Sequence, residues 1–167
     1  MVNRIKDLPL TEITLRKYEK PNQALEKREL MRKICLSVGL LQLGDSRDII
    51  VDIFMVLIDA NKIKERISSE EVRLRVTDIR KKYSLDTRGL AESNIRRQLK
   101  RLRDAMYVEK AENRYYLIEN LKMIDIFEKN IEKFVIPPII ERIKDYLNEL
   151  EKVDVPVTVE NKVEGQN

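Results

Sequence analysis

The chain contains no histidine and no tryptophan, a single cysteine and only four glycines in 167 residues. Without histidine the commonest general base, the usual pH switch and the commonest metal ligand are all missing, which argues against most hydrolytic enzymes. One cysteine, Cys35, cannot form an intramolecular disulfide and gives no basis for a cysteine-based zinc site. It stands at helical spacing beside Ile34 and Val38 and reads as core. No apolar run reaches the roughly 18 residues of a membrane span, and Met1 to Leu10 lacks the apolar centre of a signal peptide. A cytoplasmic location without cofactor or metal is the expectation. Aromatics make up 5% of residues, too few for a base-stacking platform to be the first expectation.

Few glycines also leave little room for phosphate-cradling loops. Gly39 to Ser46, GLLQLGDS, has the glycine spacing of a P-loop but puts Asp45 where the phosphate-binding lysine belongs. Gly39 is instead a helix stop, with Asp45 or Ser46 as the N-cap of the next helix.

Charge is abundant and uneven. Net charge is +4, but Lys62 to Arg114 holds 16 basic and 9 acidic residues, against 17 and 20 in the rest of the chain. A basic centre within an acidic remainder is the footprint expected for a polyanion. Lysine and glutamate far exceed glutamine, a composition that fits a heat-adapted protein.

The order of elements follows from spacing. Residues Val2 to Pro21 form a basic and apolar arm whose Thr11, Ile13, Leu15 alternation allows a short strand. Asn22 is the N-cap expected for a helix with Leu25, Ile34 and Val38 on its stripe. Ile49 to Ile58, IIVDIFMVLI, is apolar on nearly every side and reads as a central buried helix. Ser68 and Glu71 have the spacing of a capping box opening a helix that carries Val72, Val76, Ile79 and Tyr83 inward. Ser84 to Leu90 is a turn-forming link. From Ala91, the residues Ile95, Leu99, Leu102 and Met106 recur at spacings that share one helical face. Tyr107 to Lys110 and Arg114 to Ile118 are short β-prone runs, with Asn113 able to take a left-handed turn conformation.

This succession resembles the winged helix-turn-helix family of DNA-binding domains over Asp45 to Ile118. Ile49 to Ile58 matches the first helix, Ser69 to Tyr83 the second, Ala91 to Ala105 the recognition helix and Tyr107 to Ile118 the wing. Met106 stands where such domains often have glycine, and the link from Tyr83 to Ala91 is longer than their usual turn. The expected fold is mainly α: a winged helix of three helices and a β-hairpin, with extra N- and C-terminal helices. The segments expected are an arm and helix at 1–43, the winged-helix domain at 44–118, C-terminal helices at 119–152 and a tail at 153–167.

The resemblance implies a basic face laid into the major groove. With Ile95, Leu99 and Leu102 inward, a 100° period places Ser93, Arg97, Lys100 and Asp104 opposite, flanked by Asn94 and Arg101 on one side and Arg96 and Arg103 on the other. Ser93, Asn94 and Arg97 are the base-reading candidates, since arginine bridges guanine and asparagine adenine bidentately. Arg96, Lys100, Arg101 and Arg103 are the phosphate candidates, and Lys110, Asn113 and Arg114 those of the wing. The bland alternative is a solvated helix whose arginines pair with Glu92, Asp104 and neighbouring carboxylates. Tyr107, Tyr115 and Tyr116 read as hairpin packing.

Beyond the wing, Ile124, Phe127, Ile131 and Phe134 form an amphipathic stripe that Pro137 and Pro138 interrupt. Ile136, Ile140, Ile143, Leu147 and Leu150 then alternate at four and three, the seam of a coiled coil that serves either a second copy or the protein's own core. The functional expectation is a double-stranded DNA-binding homodimer acting in transcriptional regulation. A winged-helix module that binds protein in a replication or segregation complex is the alternative. A magnesium-dependent nucleic-acid-processing enzyme would need an acidic cluster that the sequence does not display.

Overall fold

A computed structural model describes residues 7–153. Six α-helical segments and three short strands follow one another: α1 (Lys27–Ser37), α2 (Ile49–Lys62), β1 (Ile67–Ser68), α3 (Ser69–Lys82), α4 (Glu92–Asp104), β2 (Val108–Ala111), β3 (Arg114–Leu117), α5 (Met123–Ile126) and α6 (Ile136–Val153). The protein is mainly helical, and its small sheet is antiparallel in the order β1-β3-β2.

Helix α2 is the centre. Ile49, Ile50, Val51, Ile53, Phe54, Met55, Val56 and Leu57 are all buried, as their continuous apolar run requires. Val72 and Val76 of α3, Ile95, Leu99 and Leu102 of α4, and Tyr107, Val108, Tyr115 and Leu117 of the hairpin close around it. Met31 and Cys35 of α1 join the same core, so α1 packs with the central helices. Cys35 is fully buried, and burial pushes its thiol up to about 12. Phe54 meets Tyr107 edge-on, 5.4 Å between ring centroids.

Several helix starts and stops obey local rules. The Ser68 hydroxyl accepts from Glu71 N while Glu71 Oε2 accepts from Ser68 N, the reciprocal box expected for α3. After α1 the chain turns at Gly39 with φ +74; a Cβ there would stand 2.6 Å from Thr14 Cβ, because the arm crosses at that point. Helix α4 ends with Tyr107 N donating to Leu102 O and Met106 N to Arg103 O, at 3.0 and 2.9 Å. That closure needs a left-handed residue, and Met106 takes φ 64 to provide it.

Six expectations are corrected. Helix α1 starts after Glu26, which forms a capping box with Glu29, and not after Asn22. It turns Met31 and Cys35 inward and leaves Ile34 exposed. Helix α2 follows Asp48, not Asp45 or Ser46, and Asp48 makes no cap bond because arginines occupy its carboxylate. Tyr83 is exposed, and Met106 lies past the end of its helix. Thr11 to Leu15 form no strand; Arg16 N donates to Ser37 O, and its guanidinium reaches Leu36 O and Leu41 O, supplying α1 with the C-terminal cation that helix lacks.

The hairpin turn is two residues, Glu112 and Asn113, both at positive φ, and Ala111 pairs with Arg114. Such a turn matches the twist of the flanking strands. Strand β1, not expected from its two residues, adds Ile67 and Ser68 to β3.

The largest departure is C-terminal. Pro137 and Pro138 do not interrupt the helix; a π-type segment, Phe127–Val135, joins α5 directly to α6. Proline has no N–H and its ring collides with a carbonyl one turn back in a regular helix, and widened turns ahead of the pair move those carbonyls aside. Of the expected stripe, Ile131 is buried and Phe127 half-buried, while Ile124 and Phe134 remain exposed. No residue of α6 is buried. Among the described residues, no helix is long and apolar enough to cross a membrane.

Candidate nucleic-acid interface

The basic face of α4 is a direct consequence of its amphipathic pattern. Three inward residues, Ile95, Leu99 and Leu102, fix its rotation on the core, and Ser93, Arg97, Lys100 and Asp104 therefore face out. Arg96 and Arg103 are exposed on one flank, as the periodicity places them.

The cations have more internal partners than the sequence suggests. Arg96 Nη2 donates to Glu92 Oε1 at 2.5 Å, and Lys100 Nζ to Asp104 Oδ2 at 2.6 Å. Both are exposed pairs one turn apart, a class that stabilises a helix by only ~0.3–0.5 kcal/mol and that a phosphate can displace. Arg101 differs. It donates to Leu40 O at 2.7 Å and to Gln98 Oε1, tying α4 to the loop after α1 while the residue stays exposed. Arg103 is exposed with no ion pair among the described residues.

Asn94 is also engaged. Its Nδ2 donates to Gly89 O at 2.7 Å, and its Oδ1 accepts from Arg97 Nη2 at 2.7 Å. It therefore holds the link to the start of α4 and orients Arg97. Gly89 has φ +91, and a Cβ there would meet Ile49 Cδ1 at 2.8 Å, so the link passes close over α2.

The wing residues separate. Asn113 is in the turn, and Lys110 is exposed with its ammonium 5.5 Å from the Tyr115 ring. Arg114 is drawn back, donating to Arg66 O at 3.0 Å and to Glu71 Oε2 at 3.2 Å. Lys110 and Arg103 line one shallow depression between α4 and the hairpin. Tyr107 and Tyr115 are buried and Tyr116 lies under the Arg66 guanidinium, the packing roles expected of them.

No family model, no curated protein and no solved structure matches the chain. The geometry alone therefore carries the functional argument.

A group that the sequence reading missed lies behind the basic face. Asp48 and Asp52 of α2, one turn apart, receive Arg80 Nη1 at 3.0 and 2.5 Å and Arg28 at 2.9 and 2.8 Å. Arg80 also donates its Nε to Asp86 O at 2.6 Å, which anchors the link between α3 and α4. Burial works to raise the Asp48 carboxyl, but the hydrogen bonds and charges of Arg28 and Arg80 overcome it and hold it below the usual range. The available signal was Asp52 itself, a lone carboxylate within IIVDIFMVLI, since a charge inside an apolar helix requires a buried partner. Around this cluster, Arg47 and Arg88 line two adjoining clefts of about 320 and 270 Å³, the first of which reaches Arg97.

Proposed function

We propose that this protein binds double-stranded DNA through the outer face of α4, in the manner of a winged helix-turn-helix domain, and acts as a homodimeric transcriptional regulator. The observation that carries this reading is a solvent-facing row of Ser93, Arg97 and Lys100 on a helix locked to the core by Ile95, Leu99 and Leu102. In such a docking, residues near the N-terminus of the helix approach base edges and later ones meet phosphates. Ser93 and Arg97 are the base-reading pair, with Asn94 positioning Arg97. Arg96, Lys100 and Arg103 contact phosphates, and Lys110 extends the footprint onto the hairpin.

The dimer reading rests on α6. Ile140, Ile143, Tyr146, Leu147, Leu150 and Val153 each leave between 47% and 79% of their surface in solvent. Together they open on the order of 600 Å² of apolar-rich surface, at the upper end of what a monomer ordinarily exposes and approaching the ~800 Å² per partner of a stable interface. Of the seam residues, Ile136 packs against the protein's own core, while Ile140, Ile143, Leu147 and Leu150 do not reach it.

The reading of the protein as a protein-binding module draws on a different observation, the apolar groove lined by Leu15, Ile34, Met123, Ile124 and Phe127. It predicts no affinity for duplex at any salt concentration.

Selection of bound sequences from a random duplex pool tests the proposal. Wild type should yield a motif, and Arg97→Ala should lose preference at one position, at a cost of about 1–3 kcal/mol there. Recovery of an unenriched pool by wild type would refute sequence-specific binding.

A further inference from the structure

The clefts lined by Arg47 and Arg88 sit beside the N-terminal half of α4, on residues outside the basic helix itself. Arg47 is the last residue before the buried Asp48, and it is exposed with no ion pair among the described residues. Arg88 follows Asp86, whose backbone carbonyl is fixed by Arg80, and 91% of its side-chain surface is in solvent. Arg47 adjoins Asp48 in the chain, and Arg88 stands on the link whose Asp86 carbonyl accepts from Arg80. Arg97, held by Asn94, completes the cleft from the α4 side.

We infer that Arg47 and Arg88 form a phosphate clamp that grips the nucleic-acid backbone where it passes the N-terminus of α4. The inference rests on the DNA-binding reading and adds to it a second line of contact, on the loop before α2 and the link before α4. Two guanidiniums on separate segments lining one cleft suit a phosphodiester, which presents two oxygens to a planar fork of donors. The one carboxylate in the cleft is Asp86, whose Oδ2 accepts from Arg88 Nε at 2.7 Å. It is an exposed pair, and a phosphate replaces it without uncovering a buried charge. Backbone and side-chain hydrogen bonds from Arg88 hold the Asp86 carboxyl below its usual range, so it stays ionised and competes with the phosphate at neutral pH.

The test uses the full chain and a mixed-sequence duplex, with binding followed by fluorescence anisotropy across a range of salt concentrations. Each phosphate contact contributes about 0.9 to the slope of log affinity against log salt. Arg47→Ala and Arg88→Ala should each reduce the slope by about that amount and weaken binding about eightfold near 0.1 M salt, where Arg142→Ala on α6 leaves both unchanged. Asp86→Asn should strengthen binding, an effect opposite to that of general damage. Matching thermal melts establish that the variants fold. If wild type binds but the two arginine variants keep its slope and affinity, the clamp is wrong and the α4 reading survives. If wild type shows no affinity for duplex, both fail.

Discussion

Arg80 Nη1 lies 2.5 Å from Asp52 Oδ2 with both side chains buried, and this one contact ties α3 to the centre of α2 beneath the proposed interface. Its strength is best judged by removing one partner. Arg80→Met would remove one of the two cations that bridge Asp48 and Asp52 and leave Arg28, with Arg32 on Asp48, as their partners, a loss bounded by the about 3–5 kcal/mol that a fully broken buried pair costs. Chemical denaturation should show that fall, with Arg73→Ala, on the exposed face of the same helix, close to wild type. An Arg80→Met protein as stable as wild type would mean that Arg28 and Arg32 suffice to neutralise the cluster.

Acid should weaken the protein through the same group. The Asp48 carboxyl is held below its unfolded value of about 3.9, so its contribution is complete above that pH and disappears as pH falls through the native value. Thermal melts between neutral pH and about pH 3 should show wild type losing stability faster than Asp48→Asn, the two curves converging in acid. Parallel curves would remove Asp48 from the account.

Met106 adopts a backbone conformation that costs a side-chain-bearing residue about 1–2 kcal/mol. Met106→Gly relieves that strain but frees the unfolded chain, so a net stabilisation of about 0.5–1 kcal/mol is expected. A β-branched substitution, Met106→Val, should destabilise. If both variants behave alike, the turn tolerates side chains and the closure of α4 is not strained.

The seam of α6 gives a prediction about assembly. Ile143 and Leu147 leave 55% and 54% of their surface in solvent, so replacing both with glutamate should not harm the folded chain. In a dimer built on this helix the same change buries charges between the copies. Light scattering should report a dimer for wild type and a monomer with unchanged circular dichroism for Ile143→Glu/Leu147→Glu. A double variant that stays dimeric places the interface elsewhere, and one that unfolds assigns α6 to the protein's own core.

What the sequence revealed of this fold was what periodicity and capping encode. The rotation of α4 follows from Ile95, Leu99 and Leu102 alone, and Ser68 with Glu71 marks the start of α3 to the residue. Interactions between distant segments were not legible. The partnership of Arg28 and Arg80 with Asp48 and Asp52 depends on three helices meeting, and no local pattern encodes it. Arg47 and Arg88 lie outside any basic run, so only the folded link brings them beside Arg97. The two prolines misled because their local rule assumes a regular helix ahead of them, where the chain instead widens its turns. The bond from Arg101 to Leu40 O was equally illegible, because it joins α4 to a loop 61 residues earlier in the chain.

The central claim is that the outer face of α4 and the arginines beside it meet a DNA backbone. Titrating wild-type protein into a labelled duplex at several salt concentrations measures that contact directly. With about five phosphates engaged, log affinity should fall with log salt at a slope of roughly −4 to −5. A slope near zero, or no binding at the lowest salt, would contradict the account.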